Sequence, residues 1–287
     1  MLGYCILVEV WRPHVIIASS QWALNRIQAE RFIYSVERPA AVIVGSSLAF
    51  HLPESTLGNR IFNLSLAAVG PLTGLEVVER SGNLPQAVII ETNFLFSAAD
   101  HDFVEGLYAP PLYQVRSIVR GLRFEYQPVN VILSAVRRAG GHSGAQREAV
   151  RADPKVVANM VEVHERELSR SAQEAGLSPA LENLQRLVSR LEKRGTQIIF
   201  LEMPVHPRLH AASLERAVHD QVLALYPRDR YRWLMMQECG EPETTDGLHL
   251  TYAEAARYAA ALRDSVLPVG RTDAVKCPAQ PGAQPKS

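Results

Sequence analysis

The sequence predicts an α/β protein in three layers, α/β/α, with a mainly parallel sheet and a helical insertion. Three observations predict it. Short continuous runs of β-branched and other apolar residues recur at 40–44, 86–91 and 197–201, as suits strands buried on both faces. Segments with helical spacing alternate with these runs. The polar residues of most chemical interest, Ser46-Ser47, the stretch 63–70 and Asn93, each lie at or after the end of a predicted strand, where open α/β folds bind their ligands.

Taken in order, residues 21–37 have a helical composition that Pro39 stops. The first strand is 40–44. A second lies within 60–66, around Ile61-Phe62-Asn63-Leu64, and Leu72, Leu75 and Val78 then follow helical spacing. The third strand, Ala87-Val88-Ile89-Ile90, sits within 86–91. From about 100 to 177 the pattern changes: the stretch is rich in Arg, carries the breakers Pro110-Pro111 and Gly140-Gly141, and turns helical over 156–174. It reads as an insertion or lid. Ser178-Pro179 reads as an N-cap with proline at the first helical position. Leu181, Leu184, Leu187, Val188 and Leu191 then make one apolar face, and Gly195 ends the helix. The fourth strand is Ile198-Ile199-Phe200-Leu201, followed by a helix over 213–225 and a short fifth strand over 231–235. Thr251-Tyr252-Ala253-Glu254 has the form of a capping box and opens an Ala-rich helix to about Arg263. From Pro268 onward the composition is that of a disordered tail. The chain thus divides into an N-terminal segment, 1–37, a domain over 38–265 with its insertion, and a tail over 266–287.

With 287 residues, 47% of them apolar, the chain can build a substantial core. Lys+Arg and Asp+Glu both number 30, so the basic surplus that a nucleic-acid partner calls for is absent. Arg116, Arg120 and Arg123 lie close together and read as a solvated helix face. Cys5, Cys239 and Cys277 form no CxxC pair, which argues against a zinc or thioredoxin-type site. Cys239 and Cys277 either pair, in an oxidising compartment, or remain thiols. There is no HExxH and no carboxylate–histidine cluster, so neither a metal nor a cofactor is expected. Residues 2–11 are mostly apolar but reach only half the ~20 residues of a membrane span, and they lack a basic n-region. They read either as a short buried or amphipathic element or as the remnant of a membrane anchor.

Two segments far apart carry the chemistry. Ala41-Val42-Ile43-Val44-Gly45-Ser46-Ser47-Leu48 runs a buried strand into a tight turn that presents a serine, and Asp246-Gly247-Leu248-His249 places an acid and an imidazole three positions apart. A serine hydroxyl is a weak nucleophile and needs a base within hydrogen-bond reach. An imidazole ordinarily titrates near ~6.5, and an aspartate on its other nitrogen sets the tautomer. Ser47, His249 and Asp246 are the candidate nucleophile, base and orienting acid. Asn93 can donate its amide N–H to a developing oxyanion, and such a donor lowers a barrier by roughly 2.7–4 kcal/mol. Singly, each has an ordinary reading: Ser46-Ser47 as an N-cap, Asn93 and Asp246-Gly247 as turns, His249 as a structural histidine. Their conjunction and order make the case. His206 and His210, around Pro207 after the fourth strand, could line the same site; His164 and His219 fall on predicted helices; His51, Arg60 and Arg116 read as surface residues, with substrate binding as the alternative.

In this order the residues resemble the SGNH (GDSL-like) hydrolase superfamily. Gly45-Ser46-Ser47-Leu48 resembles its first block, Gly-Asp-Ser-Leu, with Ser46 in place of the acid. Asn63-Leu64-Ser65-Leu66-Ala67-Ala68 is similar to the second, whose final glycine lends its N–H to the oxyanion hole. Ala68 stands there, keeping the N–H without glycine's freedom at positive φ. Glu91-Thr92-Asn93-Phe94 is similar to the third block, Gly-x-Asn-Asp, through its asparagine. Asp246-Gly247-Leu248-His249 matches the last block, Asp-x-x-His, throughout. The resemblance implies a flavodoxin-like sheet, a Ser47–His249–Asp246 triad, and an oxyanion hole from Ser47, Ala68 and Asn93. Within the superfamily the chain is most similar to a bacterial cell-envelope branch, the DltD-like and alginate-acetylation-type proteins. That likeness implies a serine-dependent esterase or O-acyltransferase acting on O-acyl, above all O-acetyl, esters of a surface glycan or on a small ester. It also implies a membrane-bound O-acyltransferase as partner and a place in the cell envelope or periplasm, with the cytoplasm still open. The alternative is a catalytically inactive protein of the same fold that binds or assembles with such an acyltransferase. A phosphate- or nucleotide-binding role ranks lower, since both GxGxxG and GxxxxGK[ST] are missing.

Overall fold

A computed structural model describes residues 2–13, 15, 20–139, 153–239 and 241–266. Five strands form its sheet: β1 (Ala41–Val44), β2 (Ile61–Asn63), β3 (Ala87–Glu91), β4 (Gln197–Glu202) and β5 (Arg232–Met235). Their order is β2-β1-β3-β4-β5 and every neighbouring pair is parallel. This is the flavodoxin-like order, whose switch point lies between β1 and β3. Val44 is in register with Ile90, and Ile90 with Phe200, so three strand ends reach the same level. Every residue of β1 and β3 is buried. Successive side chains of a strand point to opposite faces, so complete burial requires helices on both: the fold is a three-layer α/β/α sandwich.

Helices α2 (Gln21–Ile33), α5 (Gly70–Arg80), α6 (His101–Tyr108) and α10 (Leu177–Lys193) pack against one another. Elsewhere α4 (Glu54–Leu57) packs on α13 (Tyr252–Val266), and α9 (Pro154–Leu168) packs on α11 (Pro207–His210) and α12 (Ser213–Leu225). Helices α1 (Leu2–Trp11), α7 (Leu112–Ile118) and α8 (Pro128–Ala139) gather at two 3-10 turns, Arg120–Leu122 and Phe124–Tyr126. The first turn after β1 is α3 (Ser47–Phe50).

Several boundaries differ from expectation for physical reasons. α2 ends at Ile33, with the Tyr34 N–H closing on Glu30 O, well before Pro39. α10 starts at Leu177, because Gly176 at φ 72° turns the chain into it. Ser178 and Pro179 therefore lie in the first turn, where proline's missing N–H is not needed. Thr251 Oγ1 caps the Glu254 N–H at 3.4 Å, but the Glu254 carboxylate binds Arg257 instead of returning to the cap. The Thr251 N–H donates to Glu243 O at 3.0 Å. Where described, stretch 100–177 is mostly helical, but α9 ends at Leu168 and turns follow over 169–176, short of the expected 174; α6 and α9 send Phe103, Leu107, Val161 and Leu168 into the common core.

Arg116 and Arg123 are not a solvated face. Arg116 donates to Leu122 O at 3.2 Å and lies 3.4 Å from Glu30, while Arg123 donates to Arg116 O at 3.0 Å and covers the Tyr34 ring. A guanidinium has enough planar donors to join several such acceptors, and here it fastens the segment after α7 to α2. Cys5 is a free thiol and Cys239 is disulfide-bonded. Gly140-Gly141, Cys277 and the expected tail beyond Val266 lie outside the described residues. Among the described residues no helix is long and apolar enough to cross a membrane.

α5 lies unusually close to the sheet. A Cβ on Gly74 would come within 3.0 Å of Val44 Cβ and 3.2 Å of Leu64 O. Gly74→Val is therefore expected to lose roughly 1–3 kcal/mol by overpacking, measured as a lower urea midpoint. An unchanged midpoint would contradict the close approach.

Candidate active site

Leaving β1, the chain turns at Gly45 and Ser46 and enters α3 at Ser47. The turn closes over Glu91, the last residue of β3, which is fully buried. The Glu91 carboxylate accepts from Ser46 N (2.9 Å), Ser46 Oγ (2.6 Å) and Ala49 N (3.2 Å). A Cβ on residue 45 would lie 2.6 Å from Glu91 Oε2 and 2.9 Å from both Ala49 Cβ and Ser65 Oγ, so only glycine fits. Ser46 Oγ also accepts from Leu48 N at 3.2 Å, which makes it the cap of α3 and leaves the next hydroxyl, Ser47, at the helix start. Burial pushes the Glu91 carboxyl up from its ordinary range, against the opposing effect of these hydrogen bonds and of His249.

The second half of the site comes from the loop after β5. It is closed by a bridge between Thr244 and Leu250 and by Thr245 N donating to His249 O at 2.8 Å. It is tied down where His206 N donates to Gly247 O at 2.8 Å. Gly247 has φ 91°, and a Cβ there would lie 2.5 Å from Val161 Cγ2 of α9, so glycine is required both by conformation and by space. Asp246 Oδ1 accepts from Leu248 N (2.9 Å) and His249 N (2.7 Å), and Oδ2 accepts from His249 Nδ1 at 2.6 Å. His249 Nε2 then lies 2.8 Å from Ser47 Oγ. Burial alone would raise the Asp246 carboxyl, but the hydrogen bonds from the His249 side chain and backbone hold it down at about 2. An ionised Asp246 keeps the proton on Nδ1 and leaves Nε2 as the acceptor facing the hydroxyl.

On the opposite side, the chain after β2 continues along β1: Leu64 N donates to Ile43 O (2.8 Å) and Leu66 N to Gly45 O (2.9 Å). Asn63 braces this stretch by donating to Ala49 O at 2.8 Å and accepting from Ser65 N at 3.1 Å. Ala68 adopts φ 68°, the left-handed conformation that costs an L-residue roughly 1–2 kcal/mol. It takes up the glycine-like geometry despite its Cβ, in a turn where Val69 N and Gly70 N both point to Leu66 O.

The structure brings Ser47, His249 and Asp246 together; it does not bring Asn93 to them. Asn93 Nδ2 donates to Met203 O (3.1 Å) and to Glu215 Oε1 (2.7 Å), and its Oδ1 accepts from Met203 N at 2.8 Å. Both amide hydrogens are spent, inside the core, clamping the end of β3 to the chain beyond β4. Burial pushes the Glu215 carboxyl up to about 8, against the Asn93 hydrogen bond and with the help of the charges on Glu202 and Glu91. Glu202 in turn binds His219 Nδ1 at 2.6 Å, which raises that imidazole, and lies 3.5 Å from His210 Nδ1. His206 caps α11 through Arg208 N, and Arg60 is exposed.

Three neighbours of the site were not assigned to it from sequence. Glu91 was visible only as an acid where the third block has glycine. His51 sets its ring edge-on to His249, with centroids 5.6 Å apart; its position four residues after Ser47, at the C-cap of α3, is the signal that points to it. His164 Nε2 on α9 lies 3.9 Å from Asp246 Oδ2, and nothing in the local sequence announces that. Among the described residues no group of three His, Cys, Asp or Glu could hold a metal ion.

No protein-family model matches the sequence, and no curated protein matches it. Among solved structures it is similar to one from Streptococcus pneumonia, described as a proposed platelet activating factor, with a TM-score of 0.43 and 15% identity over 90% of this chain and 97% of that one. A likeness that distant carries no argument about chemistry.

The buried acid on α12 gives a pH test. A carboxyl raised from 4.5 to about 8 binds more protons in the folded than in the unfolded chain between those values, so its contribution to stability falls as pH rises across that window. Glu215→Gln can still accept from Asn93 and does not ionise. Its melting temperature relative to the wild type is expected to climb between pH 5 and about 8 and then level off. A difference independent of pH would show that Glu215 is not held protonated.

Proposed function

We propose that the chain is a serine-dependent acyl-ester enzyme of the SGNH class, working through an acyl-Ser47 intermediate. The observation that carries this reading is the unbroken line from Ser47 Oγ to His249 Nε2, 2.8 Å, and from His249 Nδ1 to Asp246 Oδ2, 2.6 Å. Three of four sequence blocks of that superfamily, in its order, on a flavodoxin-like sheet, support it.

In this mechanism Ser47 Oγ attacks the ester carbonyl as His249 Nε2 takes its proton. Asp246, ionised, stabilises the imidazolium. The N–H of Ser47, at the first position of α3 where no intrahelical acceptor exists, and the N–H of Ala68 are the oxyanion donors. His249 returns the proton to the departing alkoxide. Water as the second acceptor gives an esterase and a sugar hydroxyl gives an O-acyltransferase. We assign the finer substrate, an O-acetyl ester of a cell-surface glycan or a small ester, on the resemblance to the cell-envelope branch. The same resemblance supports envelope localisation and a membrane-bound O-acyltransferase as partner.

The engagement of Asn93 favours a second reading, in which the site has lost an oxyanion donor and the fold serves to bind or assemble with such an acyltransferase. A fluorophosphonate probe separates the two. On the enzyme reading the wild type is labelled, Ser47→Ala is not, and the variant's ester turnover drops about 10³-fold or more. Folded wild type that stays unlabelled supports the binding role.

Asn93→Ala distinguishes support from catalysis. It strands buried polar groups on Met203 and Glu215, so stability should fall by roughly 1–3 kcal/mol. The kcat/KM of the folded fraction should stay within about 10-fold of wild type, instead of the 10²–10³ loss that follows removal of an oxyanion donor. A large rate loss at unchanged stability would return Asn93 to the oxyanion hole.

A further inference from the structure

Most of the large apolar side chains exposed among the described residues lie on α1, α7 and α8. These helices gather at one place. Cys5 of α1 packs so closely on Gly121 that a Cβ there would lie 3.0 Å from Cys5 Cα, and Tyr4 Oη donates to Tyr126 O. α8 is amphipathic in the inverted sense. Its buried residues are Asn130 and Ser134, and Asn130 Nδ2 fastens it to Phe124 O at 2.9 Å. Its apolar residues Val129, Ile132, Leu133 and Val136, spaced i, i+3, i+4, i+7, face outward, with Ile132 61% and Val136 65% exposed. Ile118 at the end of α7 is 82% exposed, and Val10 and Trp11 at the end of α1 are 81% and 57% exposed.

The charge around this face indicates what covers it. Of the five arginines within residues 112–139, Arg116 and Arg123 are turned inward, and the exposed pair is Arg137 and Arg138 at the end of α8; the same stretch holds one acid, Glu125, and α1 adds one exposed acid, Glu9. Glu125 is already ion-paired with Arg31 at 2.6 Å. α8 has no acid in its first turn and ends on Arg137 and Arg138, both exposed. Apolar stripes beside an indole and guanidinium groups suit helices lying in the headgroup layer of an anionic bilayer, where apolar burial and attraction to lipid phosphates act together. Among the described residues no helix is long and apolar enough to cross a membrane, and the contact at issue is one along the outer faces of these helices. We propose that the outer faces of α1, α7 and α8 form a seat for an anionic phospholipid surface.

The test is co-sedimentation of the full chain with large unilamellar vesicles, of phosphatidylcholine alone or mixed with phosphatidylglycerol. The wild type should partition onto the mixed vesicles more than onto pure phosphatidylcholine, and less so as salt is raised. The double variant Ile132→Ser/Val136→Ser, confined to exposed positions, should lower partition about 10-fold or more, with unchanged circular dichroism. Arg137→Glu should weaken binding to the anionic vesicles alone. Val36→Ser, exposed but outside the three helices, should bind as wild type. Absence of wild-type partition, or equal partition by the double variant, would overturn the proposal. So would a double variant that converts a dimer to a monomer without any vesicle binding, since the face would then join two copies of the chain.

Discussion

A carboxylate out of reach of water fixes the turn on which the site is built. Glu91 gathers two N–H donors and one hydroxyl from Ser46 and Ala49. An acid in the interior is unfavourable unless it is hydrogen-bonded, so the turn and the acid stabilise each other and neither has freedom to move alone. The cost in sequence is a glycine at 45, where any Cβ would collide with the carboxylate. Ser46 is turned inward as a structural group, and this leaves Ser47 to face the loop after β5.

The carboxyl end of the sheet is a polar layer within an apolar core. Glu91 and Glu202 end their strands, Asn93 and Met203 are laced together just beyond, and Glu215 reaches in from α12. Polar networks of this kind are unforgiving, because an unpaired member is costly in a low dielectric. That is why Asn93 holds three hydrogen bonds of its own and none is left for a substrate. Asp246, outside this layer, remains ionised by virtue of three hydrogen bonds from its own loop and imidazole and the charge of His249.

The strands were legible because a strand buried on both faces must be written as a continuous β-branched run, and β1, β3 and β4 are. Ser47, Asp246 and His249 were legible because the local backbone that presents them has its own grammar, a glycine turn after a strand and an Asp-Gly turn before a capped helix. The bonding of Asn93 was not. Its partners Met203 and Glu215 lie more than a hundred positions away in the chain, and a side chain's unused hydrogens depend on neighbours that sequence order does not reveal. The arginines at 116 and 123 misled for the same reason: spacing resembled a surface helix, while Glu30 and the backbone around Leu122 drew them inward. The period of α8 is plain in the sequence, but the side that faces inward is set by Asn130 reaching Phe124 O.

The hydroxyl and the imidazole that face each other come from nearly opposite ends of the described domain, one at the first strand and one in the loop after the last. Contacts with such wide separation in the chain close late, after local and neighbouring pairings have formed. A nascent polypeptide therefore carries Ser47 without His249 facing it until the ribosome has released almost the whole domain. Through most of its biosynthesis that hydroxyl has no imidazole beside it.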